Sequence, residues 1–85
     1  MAIRYRIPRR VRLGLKHVVV VKCVKPSVLY GMLEEKERPR EERSLGAWMV
    51  DDMTIYIQST LSLEEKWRTY LHELLHAIHD ILSTS

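Results

Sequence analysis

Apolar and polar positions alternate along the first part of the chain. Ile3, Tyr5 and Ile7 are separated by Arg4 and Arg6, and beyond Pro8 the pattern resumes with Val11, Leu13 and Leu15 against Arg12, Gly14 and Lys16. A period of two predicts half-buried strands. Residues 18–24 are β-branched and apolar apart from Lys22 and Cys23, which predicts a more deeply buried strand ending at Lys25-Pro26. A short helix is expected over residues 28–33 or slightly beyond, with Ser27 as its cap and Gly31 weakening it. Residues 45–50 and 53–58 are two β-prone runs that meet at Asp51-Asp52, a hairpin lacking the usual turn glycine. In its second arm Met53, Ile55 and Ile57 are expected to face the core, and Thr54, Tyr56 and Gln58 the other way.

The pattern then changes period. Ser62 and Glu65 form an S-x-x-E capping box, and residues 63–82 contain neither Gly nor Pro. At about 100° per residue, Leu63, Trp67, Tyr70, Leu71, Leu74, Ile78 and Ile81 share one broad apolar face. His72, His76 and His79 fall opposite, near Glu65, Arg68 and Thr69. The expected architecture is α+β, a small mixed or antiparallel sheet packed on a C-terminal helix in one domain spanning residues 1–85.

Composition sharpens this picture. The 85 residues are 46% hydrophobic and 29% charged, too apolar for a disordered chain. A domain this small has a marginal core and commonly leans on a disulfide, a metal or a partner subunit. The single cysteine, Cys23, rules out an internal disulfide and leaves metal or self-association. No apolar run approaches the ~20 residues that span a bilayer, and no signal-peptide core follows the basic start. A cytoplasmic setting is therefore expected. Residues 34–44 carry nine charges of mixed sign around Pro39 and read as a solvated helix end and mobile loop.

The net charge of +3 conceals an asymmetry. Residues 1–25 hold eight Lys and Arg and no acid, whereas the rest hold six against all eleven Asp and Glu. A basic edge of this kind suits an anionic partner, nucleic acid or acidic protein, and also guards an edge strand against aggregation. It lacks the aromatic interleaving of single-strand binders.

The chemistry concentrates in His72-Glu73-Leu74-Leu75-His76, an HExxH sequence on the last helix. Residues i and i+4 stand one above the other, ~5–6 Å apart at Cβ, so two imidazoles can converge on one Zn²⁺. Zinc lowers the pKa of water towards ~7, and Glu73, beside the first histidine, is placed to take its proton and later pass it to a leaving amine. The implied reaction is metal-assisted peptide hydrolysis. The alternative is an amphipathic helix whose polar face merely carries histidines. The capped helix and the preceding hairpin favour the functional reading.

Residues 45–80, LGAWMVDDMTIYIQSTLSLEEKWRTYLHELLHAIHD, resemble the core of zincin metallopeptidases, most closely the small HELLHA-type proteins of phages and prophages related to the ImmA/IrrE type. The glycine-led hairpin, the I-x-I strand, the L-S-x-E-x-K-W helix start and HELLHAI carry the resemblance. It implies a zincin-like fold, zinc as cofactor, His72 and His76 as ligands, Glu73 as general base and a peptide or protein substrate. It also implies that the hairpin's second arm is an edge strand, with Thr54, Tyr56 and Gln58 holding an extended peptide above the helix. Such enzymes take a third ligand beyond the HExxH helix, often a glutamate. Here His79 and Asp80 are the local candidates, about 10 and 12 Å along the axis from His72, too far for a straight helix to join at one metal. Fraying at the helix end would favour Asp80. Otherwise another acid, a second subunit or water completes the site.

Other candidates have plainer explanations. A buried, inert thiol is expected at Cys23, and a surface or pairing role at His17. Trp48 and Tyr56 suit packing or a substrate groove. Asp51 and Asp52 suit a turn. The alternative to an enzyme is a non-catalytic phage structural or assembly module, or one that contacts nucleic acid through its basic edge.

Overall fold

The two periodicities resolve into six elements: β1 (Arg10–Leu13), β2 (His17–Val24), α1 (Pro26–Glu35), β3 (Gly46–Met49), β4 (Thr54–Gln58) and α2 (Leu63–Ser83). The computed structural model describes residues 5–35 and 45–83. Ile3, Arg4 and the charged stretch from residue 36 to 44 lie outside the described residues. The architecture is α+β, with the strands in one mixed sheet of order β1-β2-β4-β3. β1 is antiparallel to β2, β2 parallel to β4, and β4 antiparallel to β3. Because β2 and β4 run parallel, the chain between them must cross over, and α1 lies on that crossover.

The sheet separates two apolar clusters. Val19 and Val21 of β2 and Ile55 and Ile57 of β4 pack against Tyr70, Ala77 and Ile81 of α2. On the other face Ala47 and Met49 of β3 meet Leu29 of α1, with Val24, Met32 and Tyr56 around them. Ile55, Ile57, Val19 and Leu29 are fully enclosed. Alternation along each strand thus feeds both layers, as a sheet with a helix on each face requires.

Local chemistry explains the helix ends. In α2 the Glu65 N–H donates to Ser62 Oγ at 3.2 Å and the Ser62 N–H donates to Glu65 Oε1 at 3.3 Å, the reciprocal pair of a capping box. Glu64 and Glu65 also complement the positive end of the helix dipole. α1 begins earlier than Ser27 capping implies. Pro26 occupies the first turn, where its missing N–H costs nothing, and the Leu29 N–H donates to the Lys25 carbonyl at 3.1 Å.

Four expectations are corrected. The segment around Tyr5 and Ile7 is not a strand. Pro8 cannot donate to a ladder, and the chain before it leaves the sheet for α2, where Trp67 Nε1 donates to the Tyr5 carbonyl at 2.6 Å. Leu15 does not continue β1 but sits 94% exposed in the three-residue turn 14–16, with Gly14 at φ 74°. Cys23 is exposed rather than buried. The bond from the Val21 N–H to the Arg9 carbonyl, at 2.8 Å, lies just ahead of the first residue of β1, so no β1 residue stands beside Cys23. Leu71, placed on the apolar face of α2 by periodicity, is 52% exposed, while Thr69 and Ala77 are buried. Small side chains set this rotation. A Cβ at Gly46 would stand 2.5 Å from Thr69 Cγ2 and 2.8 Å from the Tyr56 carbonyl oxygen, so glycine lets β3 and α2 meet along the Thr69 side.

The β3–β4 turn solves its missing glycine differently. Met53 takes φ 52°, a left-handed conformation that costs a side-chain-bearing residue roughly 1–2 kcal/mol. Its N–H donates to Val50 at 3.2 Å, its carbonyl accepts from Val20 N–H at 2.9 Å, and Thr54 Oγ1 donates to the Asp52 carbonyl at 2.9 Å. Asp51 and Asp52 are thus turn residues. Among the described residues, no helix is long and apolar enough to cross a membrane.

Candidate metal centre

α2 carries all three chemically distinctive residues of HExxH within one turn, and the rotation of the helix decides where each points. His72 and His76 are exposed, whereas Glu73 is half-buried. The i, i+4 spacing brings His72 Nε2 to 3.3 Å from His76 Nε2, with the rings edge to face at 77° and their centroids 4.8 Å apart. Two nitrogens bound at about 2.0–2.1 Å to one tetrahedral zinc lie roughly 3.3–3.4 Å apart. The separation of the pair matches that of adjacent corners of such a metal.

Glu73 turns towards the sheet edge. The position a Cβ would take on Gly46 lies 3.5 Å from Glu73 Cγ, so this carboxylate stem runs beneath β3. Trp48, two residues along the same face of β3, donates from Nε1 to Asp80 Oδ2 at 2.7 Å. One side of α2, carrying Thr69, Glu73 and Asp80, is therefore clamped under β3, and the histidines lie further round on its open side.

Asp80 is held by Trp48, and its Oδ1 is 3.9 Å from His79 Nδ1, with the His79 side chain 83% exposed. No three His, Cys, Asp or Glu side chains gather at one point among the described residues. The structure thus brings His72 and His76 together but does not draw Asp80 or His79 into their cluster, in keeping with the axial distance along a straight helix.

The expected peptide-holding residues lie elsewhere. β4 is not an edge strand: it bonds to β2 on one side and β3 on the other. Thr54 and Gln58 are buried, and Gln58 Nε2 donates to the Tyr30 hydroxyl of α1 at 3.3 Å. Tyr56 packs with Leu29 and Met49, on the sheet face opposite α2. Burial pushes its phenol pKa up, and the negative Asp52, to which its hydroxyl donates at 3.3 Å, raises it further. A hydrogen bond with Thr54 partly offsets this. Thr54, Tyr56 and Gln58 therefore lie on the α1 side of a central strand. The edge beside α2 belongs to β3, the hairpin's first arm.

Sequence reasoning missed Gly46 and Trp48 as the residues that seat the helix under this edge. A glycine at the head of a β-prone run was the visible sign of close backbone approach. Comparisons of the chain with protein-family models and curated proteins, and of its structure with solved structures, find no match.

Proposed function

We propose that this protein is a zincin-like zinc metallopeptidase that cuts a peptide or protein substrate. The observation that carries the reading is the His72–His76 pair, exposed and 3.3 Å apart at Nε2, with Glu73 adjoining it beneath an edge strand. When bound, zinc supplies Lewis acidity that polarises the scissile carbonyl and makes a water acidic enough to lose a proton near neutral pH.

The chain's own residues divide the remaining work. His72 and His76 would hold the metal through Nε2. Glu73 accepts the water proton on its carboxylate and returns it to the departing amine, the role its half-buried position beside His72 suits. β3, which ends the sheet among the described residues, offers backbone donors and acceptors to an extended substrate, which adds to the sheet as a further strand. Asp80, gripped by Trp48, keeps the helix seated under that edge.

Elemental analysis of zinc per chain is the first test, on the wild type, His72→Ala/His76→Ala and Glu73→Gln. About one zinc in the wild type and in Glu73→Gln, and none in the double variant, is expected. Hydrolysis of a peptide library is expected to fall about 10²–10⁴-fold in Glu73→Gln, the usual worth of a general base. Absence of zinc after metal loading overturns the reading.

A further inference from the structure

The register of β1 on β2 collects cations that look scattered in the sequence. Arg10 stands beside Val20 and Arg12 beside Val18, while Lys22 follows Val20 on the same side of β2. That side is the α1 side, since Val24 meets Leu29 there. Yet α1 packs mainly on β3 and β4, and among the described residues no element packs closely on the β1–β2 half of this face. Arg10, Arg12, Val18 and Lys22 are all exposed.

Two further features border this half-face. Where Pro8 ends the pairing, an open depression of about 440 Å³ at the sheet margin is lined by Arg10, Val20 and Lys22 from this face and by Ile7, Arg9, Val21 and Cys23 from the α2 side, so the cations of the half-face continue to the rim. Lys22 also stands beside Tyr56 in the β2–β4 register, which sets a half-buried aromatic ring next to the cations. Asp52, the acceptor for the Tyr56 hydroxyl, marks the limit of the basic surface. No acid occurs among residues 1–25 to neutralise it from within.

We propose that the β1–β2 half of this face binds single-stranded nucleic acid through its phosphate backbone. Cations at alternate strand positions recur about every 6.6–6.8 Å along an extended backbone, a regular ladder suited to a charged polymer. The forks of Arg10 and Arg12 can each take two phosphate oxygens. Protein interfaces instead centre on apolar or aromatic anchors, and this half-face offers only Val18 and Val20. The sequence of the basic strands has no interleaved aromatics, but the register brings Tyr56 of β4 beside Lys22, one ring on which a base of an unpaired strand can stack. The surface is on the opposite side of the sheet from α2, so the inference stands apart from the metal centre.

The test is fluorescence anisotropy of the whole chain with labelled dT20 and U20 oligonucleotides from about 50 to about 200 mM salt, the range over which phosphate contacts weaken strongly. Arg10→Gln/Lys22→Gln is expected to weaken binding at least about tenfold at low salt and to reduce the log–log salt slope by about 1.4, the loss of two phosphate contacts at about 0.7 each. The charge-matched Lys66→Gln/Arg68→Gln pair on α2 is expected to change affinity less than about twofold, because charges on the other side of the sheet act only through the general field. Unchanged thermal melts establish that both variants fold, and Arg12→Gln carries the test if the first does not. Failure of either oligonucleotide to bind at the lowest salt overturns the proposal, as does equal weakening by both pairs. Polyglutamate binding as tightly as an oligonucleotide of equal length would overturn it in favour of an acidic protein.

Discussion

The two halves of the sheet are built to different rules. The β3–β4 half is covered on both faces, by α2 and by α1, and its contacts are close enough that Gly46 has no room for a Cβ. Among the described residues the β1–β2 half is covered on one face, by α2 and the segment around Ile7, and its other face carries Arg10, Arg12 and Lys22 exposed. The same alternating pattern thus serves two purposes. In the covered half both sets of side chains are apolar or hydrogen-bonded, and the tight packing fixes Glu73 and Asp80 at the rim of α2. In the open half one set is largely apolar and the other mixes Val18 and Val20 with Arg10, Arg12 and Lys22, so the strands are held from one side and display charge on the other. Rigid placement and an accessible charged surface come from different parts of one small sheet.

That contrast predicts unequal sensitivity to substitution. The largest effect is expected for Ile55→Ala in the covered half, where a fully enclosed side chain leaves a cavity costing about 2–5 kcal/mol. Arg12→Gln in the open half is expected to stay within about 0.5 kcal/mol, as exposed positions do. Denaturant melts compare the two directly, and equal losses would erase the distinction between the halves.

Gly46→Ala sharpens the comparison at the contact between β3 and α2. The new methyl meets Thr69 and a backbone carbonyl, so either the strand or the helix must shift, at a cost of about 1–3 kcal/mol. If Glu73 is the general base, hydrolysis should fall further than the loss of folded protein explains, while zinc binding at His72 and His76 persists. Thr69→Ala in the same chain should recover part of the stability, because it removes the Cγ2 that the methyl strikes.

The smallest effect concerns pH. Burial raises the Tyr70 phenol above its ordinary pKa of 10.0, so the fold favours its neutral form. The corresponding stability is fully present below about pH 10, the value in the unfolded chain, and is lost as pH rises through the folded-state pKa. Thermal melts above pH 10 should therefore decline less steeply in Tyr70→Phe than in the wild type. Identical slopes would remove Tyr70 from the alkaline transition.

What could be read directly from the chain is what depends on neighbours in sequence. Ser62 and Glu65 mark the start of α2 because a capping box closes within three residues. His72 and His76 meet because one helical turn separates them, whatever the helix packs against. The alternation of Val19 and Val21, and of Ile55 and Ile57, towards one face likewise follows from the strand's own period.

Tertiary structure decided everything that depends on which distant segments meet. Period-two alternation is the same in an edge strand and a central one, so it could not place β4 inside the sheet and β3 at its edge, and Thr54, Tyr56 and Gln58 moved from an expected groove to the α1 layer. Cys23 is exposed because its partner strand ends early at Pro8, a fact about residues fifteen positions away. Helical periodicity likewise found an apolar face but not its rotation: Leu71 turns out and Ala77 in because the closest approach of α2 to the sheet follows the small residues Gly46 and Thr69. Local hydrogen-bond geometry is written in short sequence intervals. Strand order, helix rotation and the company of each charge are set by long-range packing, where the shape of one residue answers to another far along the chain.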